Sequence, residues 1–109
     1  MIDSKWQTQV KRGILELCIM NLVNEKEMYG YQIVKRLSDG PGLVVTLGTI
    51  YPLLSRLKRQ GLLTSHLVES DLGPARRTYG LTPDGRIHLQ SINTSWREIV
   101  SAVDEFISS

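Results

Sequence analysis

Leu89, Ile92, Trp96, Ile99, Val103 and Phe106 follow one another at intervals of three, four, three, four and three residues. That repeat fixes one apolar seam along a single long helix, because side chains three and four residues apart share a helical face. Val100 and Ile107 broaden the seam. Its start is marked by Thr82-Pro83-Asp84-Gly85. Threonine can cap the first turn, proline suits the first helical position, and aspartate favours the positive end of the helix dipole. A stripe of this kind packs on the core of its own domain or on a second copy of the chain. The preceding residues already suffice for a small domain, and the helix runs past it. A homodimer contact is therefore expected along residues 83–109, with packing on the chain's own core as the alternative.

Upstream, Trp6, Val10, Ile14, Leu17 and Cys18 recur at helical spacing, so residues 4–23 read as a first helix. Its end is apolar on nearly every side, which calls for cover from more than one direction. Trp6, Val10 and Ile14 are accordingly placed at the dimer interface together with the C-terminal seam. Residues 24–28 read as a polar break, residues 29–38 as a second helix, and Asp39-Gly40-Pro41-Gly42 as a turn. Leu43-Val44-Val45 reads as a small strand. The third helix spans about residues 46–60, with Leu47, Ile50, Leu54 and Leu57 facing the core and Gly61 as its stop. Pro52 sits past the first turn if Thr46 is the cap, and within it if Thr49 is. An irregular start is the expectation.

Strands over residues 62–70 and 76–81 follow, joined at a tip of Asp71-Leu72-Gly73-Pro74. The fold class is thus mainly α with a small β-hairpin: a winged helix-turn-helix over residues 1–82, and a dimerisation helix over 83–109.

Charge distribution bears on function more than the net +2 does. Between Tyr51 and Gly80, five basic residues (Arg56, Lys58, Arg59, Arg76, Arg77) face two acidic ones, Glu69 and Asp71. The end of the chain is slightly acidic. One face is therefore set to meet an anion. An enzyme is not expected: His66 and His88 fall on separate elements without metal-ligand spacing, and no phosphate-binding glycine loop or nucleophile elbow is present. No metal or cofactor is expected. The single cysteine, Cys18, and the lack of a secretory-type start or a long apolar run point to a cytoplasmic protein without membrane contact.

A helix pair followed by a basic hairpin suits duplex DNA. The second helix of such a pair enters the major groove, and the hairpin follows the adjacent backbone or minor groove. Thr49, Tyr51, Ser55, Arg56 and Arg59 lie on the outer side of the third helix. Arg76 and Arg77 lie on the hairpin. Hydroxyl groups and guanidinium groups are the chemistry that phosphates and guanine edges accept. A winged helix that binds protein and no nucleic acid is the competing class.

Three blocks carry a closer likeness. They are Tyr29-Gly30-Tyr31-Gln32-Ile33 through Leu37; Gly48-Thr49-Ile50-Tyr51-Pro52-Leu53-Leu54 through Arg56-Leu57 and Gly61-Leu62; and Gly73-Pro74 with Arg76-Arg77, Tyr79, Leu81-Thr82 and Gly85. In order and spacing they resemble the PadR family of bacterial transcriptional regulators, in particular its short members with one C-terminal helix. The resemblance covers about residues 10 to 90. It implies a dimeric, nucleoid-associated repressor of its own gene or of a neighbouring transporter or detoxification gene, bound to operator DNA. It also implies relief of repression by a small aromatic or cationic effector in some members. Trp96 falls where some multidrug-responsive members place a ligand-stacking tryptophan, and Trp6 could join it. The other reading of both is as apolar anchors of the dimer. Thr78 and Gly80 depart from the family's larger or basic residues beside Tyr79.

Overall fold

The structure is a computed structural model that describes residues 4–40 and 43–109. Its elements run α1 (Ser4–Glu25), β1 (Met28–Tyr29), α2 (Gly30–Ser38), α3 (Leu47–Arg59), β2 (Leu63–Ser70), β3 (Gly73–Leu81) and α4 (Pro83–Ser108). The core sits where the apolar stripes of the helices meet the base of the sheet. Ile19, Met20, Ile33, Ile50, Leu54 and Leu57 are wholly or almost wholly buried there, joined by Met28, Leu63, Tyr79 and Leu89. On α3 the three buried residues follow the i, i+4, i+7 spacing, which leaves the opposite side of that helix to solvent.

The sheet has the order β1-β3-β2, antiparallel throughout. Met28 and Tyr29 pair with Tyr79 and Thr78, so a two-residue strand stands where the sequence suggests the end of a polar break and the first residue of the second helix. Two residues are too short for any period to betray them, and what recruits them is the burial of Met28 against the core. The strand expected at Leu43–Val45 does not form. That segment runs without strand pairing, and Val44 is left exposed. Half of the expected turn, Pro41-Gly42, lies outside the described residues.

Three boundaries differ from expectation in ways that bear on the site. Thr46 is the N-cap of α3, with Thr49 and Ile50 donating to its carbonyl at 3.1 Å, so the helix starts regularly and Pro52 lies inside it. The N–H hydrogen bond that Pro52 cannot donate would have gone to the carbonyl of Gly48, an exposed residue, so the loss falls on the solvent side. β3 begins at Gly73, which leaves Asp71-Leu72 as the hairpin tip. A register shift between Val68 and Ser70 absorbs Pro74, which cannot donate to a regular ladder. α4 is the third case. Gly85 and Leu89 are buried and Ile92 packs against the core, so the first half of this helix belongs to the winged domain. Leu89 is thereby taken out of the exposed seam.

The start of α4 is stitched to the end of α3. Gly61 takes a positive φ of 77° and turns the chain, while Leu62 N–H donates to the Leu57 carbonyl at 3.0 Å. Thr82 Oγ1 accepts from Gly85 N–H at 2.9 Å and donates to the Gly61 carbonyl at 2.6 Å. Thr82 N–H donates to the Leu62 carbonyl at 3.1 Å. Further along, Asn21 on α1 and Asn93 on α4 exchange two amide hydrogen bonds of 2.9 and 3.0 Å.

Candidate nucleic-acid interface

The outer side of α3 is open. Thr49, Tyr51, Pro52, Ser55, Arg56 and Arg59 are all exposed, as their spacing requires. They do not share one environment. Ser55 and Arg59 lie opposite the buried stripe. Tyr51 lies on the flank toward α2, where its ring crosses Gly30 so closely that a Cβ there would come within 2.9 Å of Cε1. Lys58 follows Tyr51 by two turns on that same flank and is exposed as well. The seven-residue spacing was the signal that could have added it to the candidates. Arg56 lies on the other flank, with Nη2 3.8 Å from Glu16 Oε1 of α1.

Beyond Ser65 and Tyr79 both faces of the hairpin stand in solvent, so β2 and β3 project as a wing. Arg77 Nη1 donates to Ser65 Oγ across the strands at 3.0 Å. The Arg76 guanidinium stacks 4.5 Å from the centroid of the Tyr29 ring. Both contacts hold long side chains in place and leave guanidinium donors available, which lowers the entropy lost when an anion is bound. A cleft of about 390 Å³ gathers Tyr29, Gly30, Tyr31, Tyr51, Arg76 and Arg77. The start of α2, the outer flank of α3 and the wing therefore converge on one face. Tyr29 and Tyr31 belong to the quoted Tyr-Gly-Tyr block, but only the fold brings them beside the arginines. Burial pushes the Tyr79 phenol up from its ordinary value; Tyr51 pushes the same way and Arg77 opposes. That phenol is consequently neutral at physiological pH.

A second surface lies between α1 and α4. Val10, Ile14, Ile92, Trp96 and Ile99 line an apolar groove of about 340 Å³, with Glu16 at its side. Trp96 is 39% exposed and Phe106 is 82% exposed, with Ile99, Val103 and Ile107 bare between and beyond them. Trp6 is exposed on the first turns of α1 and does not line the groove. The two tryptophans are not brought together within one chain. Among the described residues no helix is long and apolar enough to cross a membrane.

Residues 19–91 match the model of the transcriptional regulator PadR-like family. The chain belongs to that family. It is 35% identical over 95 residues to the transcriptional regulator Rv3488 of Mycobacterium tuberculosis, covering 87% of each chain. The fold is similar to that of a PadR-like transcriptional regulator from Bacillus cereus, at 33% identity and a TM-score of 0.84, covering 93% of this chain and 98% of that one. It is also similar to a PadR family transcriptional regulator from Eggerthella lenta, at 29% identity and a TM-score of 0.84, covering 95% and 90%. PadR-like proteins are transcriptional regulators and not enzymes. The architecture is accordingly a winged helix-turn-helix with a long C-terminal helix, and its general role is DNA-binding regulation of transcription.

Proposed function

We propose that this PadR-like chain is a dimeric repressor that reads operator DNA with α3 and the wing. The observation that carries this reading is the convergence of Tyr29, Tyr31, Tyr51, Arg76 and Arg77 on the cleft beside the exposed side of α3. α3 enters the major groove, with Ser55, Arg59, Thr49 and Tyr51 toward base edges and phosphates, and with Pro52 packing against the groove wall. Arg76 and Arg77 engage the flanking backbone or the minor groove. The seam from Ile92 through Trp96, Ile99, Val103 and Phe106, with Val10, Ile14 and Trp6 of α1, joins two copies. The exposure of Trp6, Trp96, Ile99, Val103 and Phe106 supports this pairing. The genes controlled are its own or those of a neighbouring transporter or detoxification system. A small aromatic or cationic effector, seated against Trp96 at the dimer interface and reached by Trp6, relieves repression by favouring another setting of the two subunits. The protein works in the cytoplasm, on the nucleoid.

Fluorescence anisotropy on the DNA upstream of the gene, titrated with salt and set against a scrambled duplex, tests the reading. Selective binding that weakens steeply with salt is expected, because each phosphate contact releases counterions. Equal, weak binding to both duplexes would refute operator recognition at this site and favour a protein-binding winged helix.

A further inference from the structure

One carboxylate stands between the recognition helix and α4. Glu16 Oε1 has the Arg56 guanidinium at 3.8 Å and His88 Nε2 at 3.9 Å. Both separations exceed hydrogen-bond length, so neither side chain has closed on the oxygen. The Glu16 side chain is 23% exposed, whereas that of Arg56 is 46% exposed and free to turn outward. His88 Nε2 is shut off from solvent and makes no hydrogen bond. A short movement would let that ring nitrogen donate to the carboxylate in front of it, and an imidazolium would do so with the added attraction of opposite charge.

We propose that Glu16 is a positioning residue for DNA binding, which holds Arg56 on α1 in the free protein and passes to His88 when Arg56 swings to a phosphate. The inference rests on the reading of α3 as the DNA-contacting helix. In the free state Arg56 neutralises Glu16, and a protonated His88 would repel Arg56. In the bound state Glu16 faces His88 alone, and the isolated carboxylate favours the imidazolium, which then donates through Nε2. DNA binding therefore takes up a proton, and affinity falls as pH rises through the histidine range. Among the described residues, the carboxylate that approaches His88 is Glu16 from α1, and Arg56 from α3 approaches that same oxygen; Asp84 lies one turn before His88 on α4. The other histidine, His66, pairs with Glu27 at 3.2 Å on the wing and serves as the internal control.

The test is operator affinity by anisotropy from about pH 6 to about pH 8.5, on wild type and on E16Q, H88Q, H66Q and R56A. Wild-type affinity should rise roughly three- to tenfold per protomer as pH is lowered. E16Q should bind at high pH as wild type does at low pH, with a flat profile. H88Q should be flat and weak, H66Q should keep the wild-type profile, and adding E16Q to R56A should change nothing. Nuclear magnetic resonance titration of the wild-type His88 imidazole, with and without operator, reads the proton directly and needs no variant to fold. Its midpoint should move up in the complex. Equal midpoints, or a profile flattened by H66Q and not by H88Q, would overturn the proposal while leaving DNA binding intact. Failure of wild type to prefer its operator at any pH would overturn the functional reading, and this one with it.

Discussion

Replacing Gly85 with alanine sets two physical rules against each other. Gly85 is the third residue of α4 after the Thr82 cap, where alanine has the better helix propensity by about 1 kcal/mol. Propensity alone thus predicts a more stable protein. Close packing predicts the reverse. A Cβ at this position would overlap the carbonyl oxygen of Leu62 and lie 3.1 Å from its carbon, and both atoms are backbone. To relieve that overlap, the first turn of α4 must retreat by about an ångström from the end of the α3 turn.

The retreat acts on bonds that cross the same junction. Thr82 N–H to the Leu62 carbonyl, at 3.1 Å, and Thr82 Oγ1 to the Gly61 carbonyl, at 2.6 Å, both lengthen. Each contributes about 0.5–1.5 kcal/mol, and overpacking a tight site costs about 1–3 kcal/mol. With the propensity gain subtracted, Gly85→Ala should destabilise by about 1–5 kcal/mol. For a domain of this size that is a fall in melting temperature of roughly 5–20 °C. Thermal melting followed by far-ultraviolet circular dichroism, at one fixed protein concentration, reads it. A variant that melts with the wild type or above it would show that α4 is not tied to α3 through this contact.

Arg77→Ala should weaken operator binding several-fold and lower the slope of log affinity against log salt by about one per protomer, as measured by anisotropy; an unchanged slope would remove Arg77 from the phosphate contacts. Val103→Asp places a charge on the bare seam without touching the core, so it should shift the sedimentation profile from dimer to monomer while the circular dichroism spectrum holds. Burial pushes the Cys18 thiol up from its ordinary value. Its thiolate is therefore scarce at neutral pH, and alkylation by iodoacetamide should be slower than for the unfolded chain; equal rates would contradict the burial.

Long-period features were readable from residues alone. The apolar stripes of α3 and α4 follow side-chain periodicity, and the Thr82-Pro83-Asp84 start stands where it was expected. What escaped the sequence depended on pairing partners distant in the chain. Met28–Tyr29 is too short to carry a period and becomes a strand by pairing with β3, whereas Leu43–Val45 has β-branched residues but gains no partner. Pro52 was read as forcing an irregular start, although the bond it removes belongs to an exposed carbonyl and the helix tolerates the loss. The Leu89-to-Phe106 repeat is uniform along the chain, yet the fold divides it, because the domain core ends partway along α4. For the site, residue types on α3 were legible one helix at a time. The stacking of Arg76 on Tyr29 and the approach of Glu16 to Arg56 join residues 40 or more positions apart, beyond the reach of any local pattern.

That division of α4 has a mechanical consequence for a dimer built on its exposed half. Thr82 is fixed to the end of α3, and Asn93 is fixed to α1 by two hydrogen bonds. The first half of α4 must therefore move as one piece with the recognition helix. Trp96, where the bare seam begins, follows Thr82 by 14 residues, or about 21 Å of helix. In the proposed dimer, a change of about 10° in the angle between two such helices would displace the α3 junction of one protomer by about 4 Å relative to the other, close to the axial rise of about 3.4 Å between successive phosphates of one strand. Hydrogen bonds to base edges tolerate only a few tenths of an ångström. Re-packing of that apolar seam through a small rotation would thus be sufficient to switch operator contact, with no rearrangement inside the winged domain.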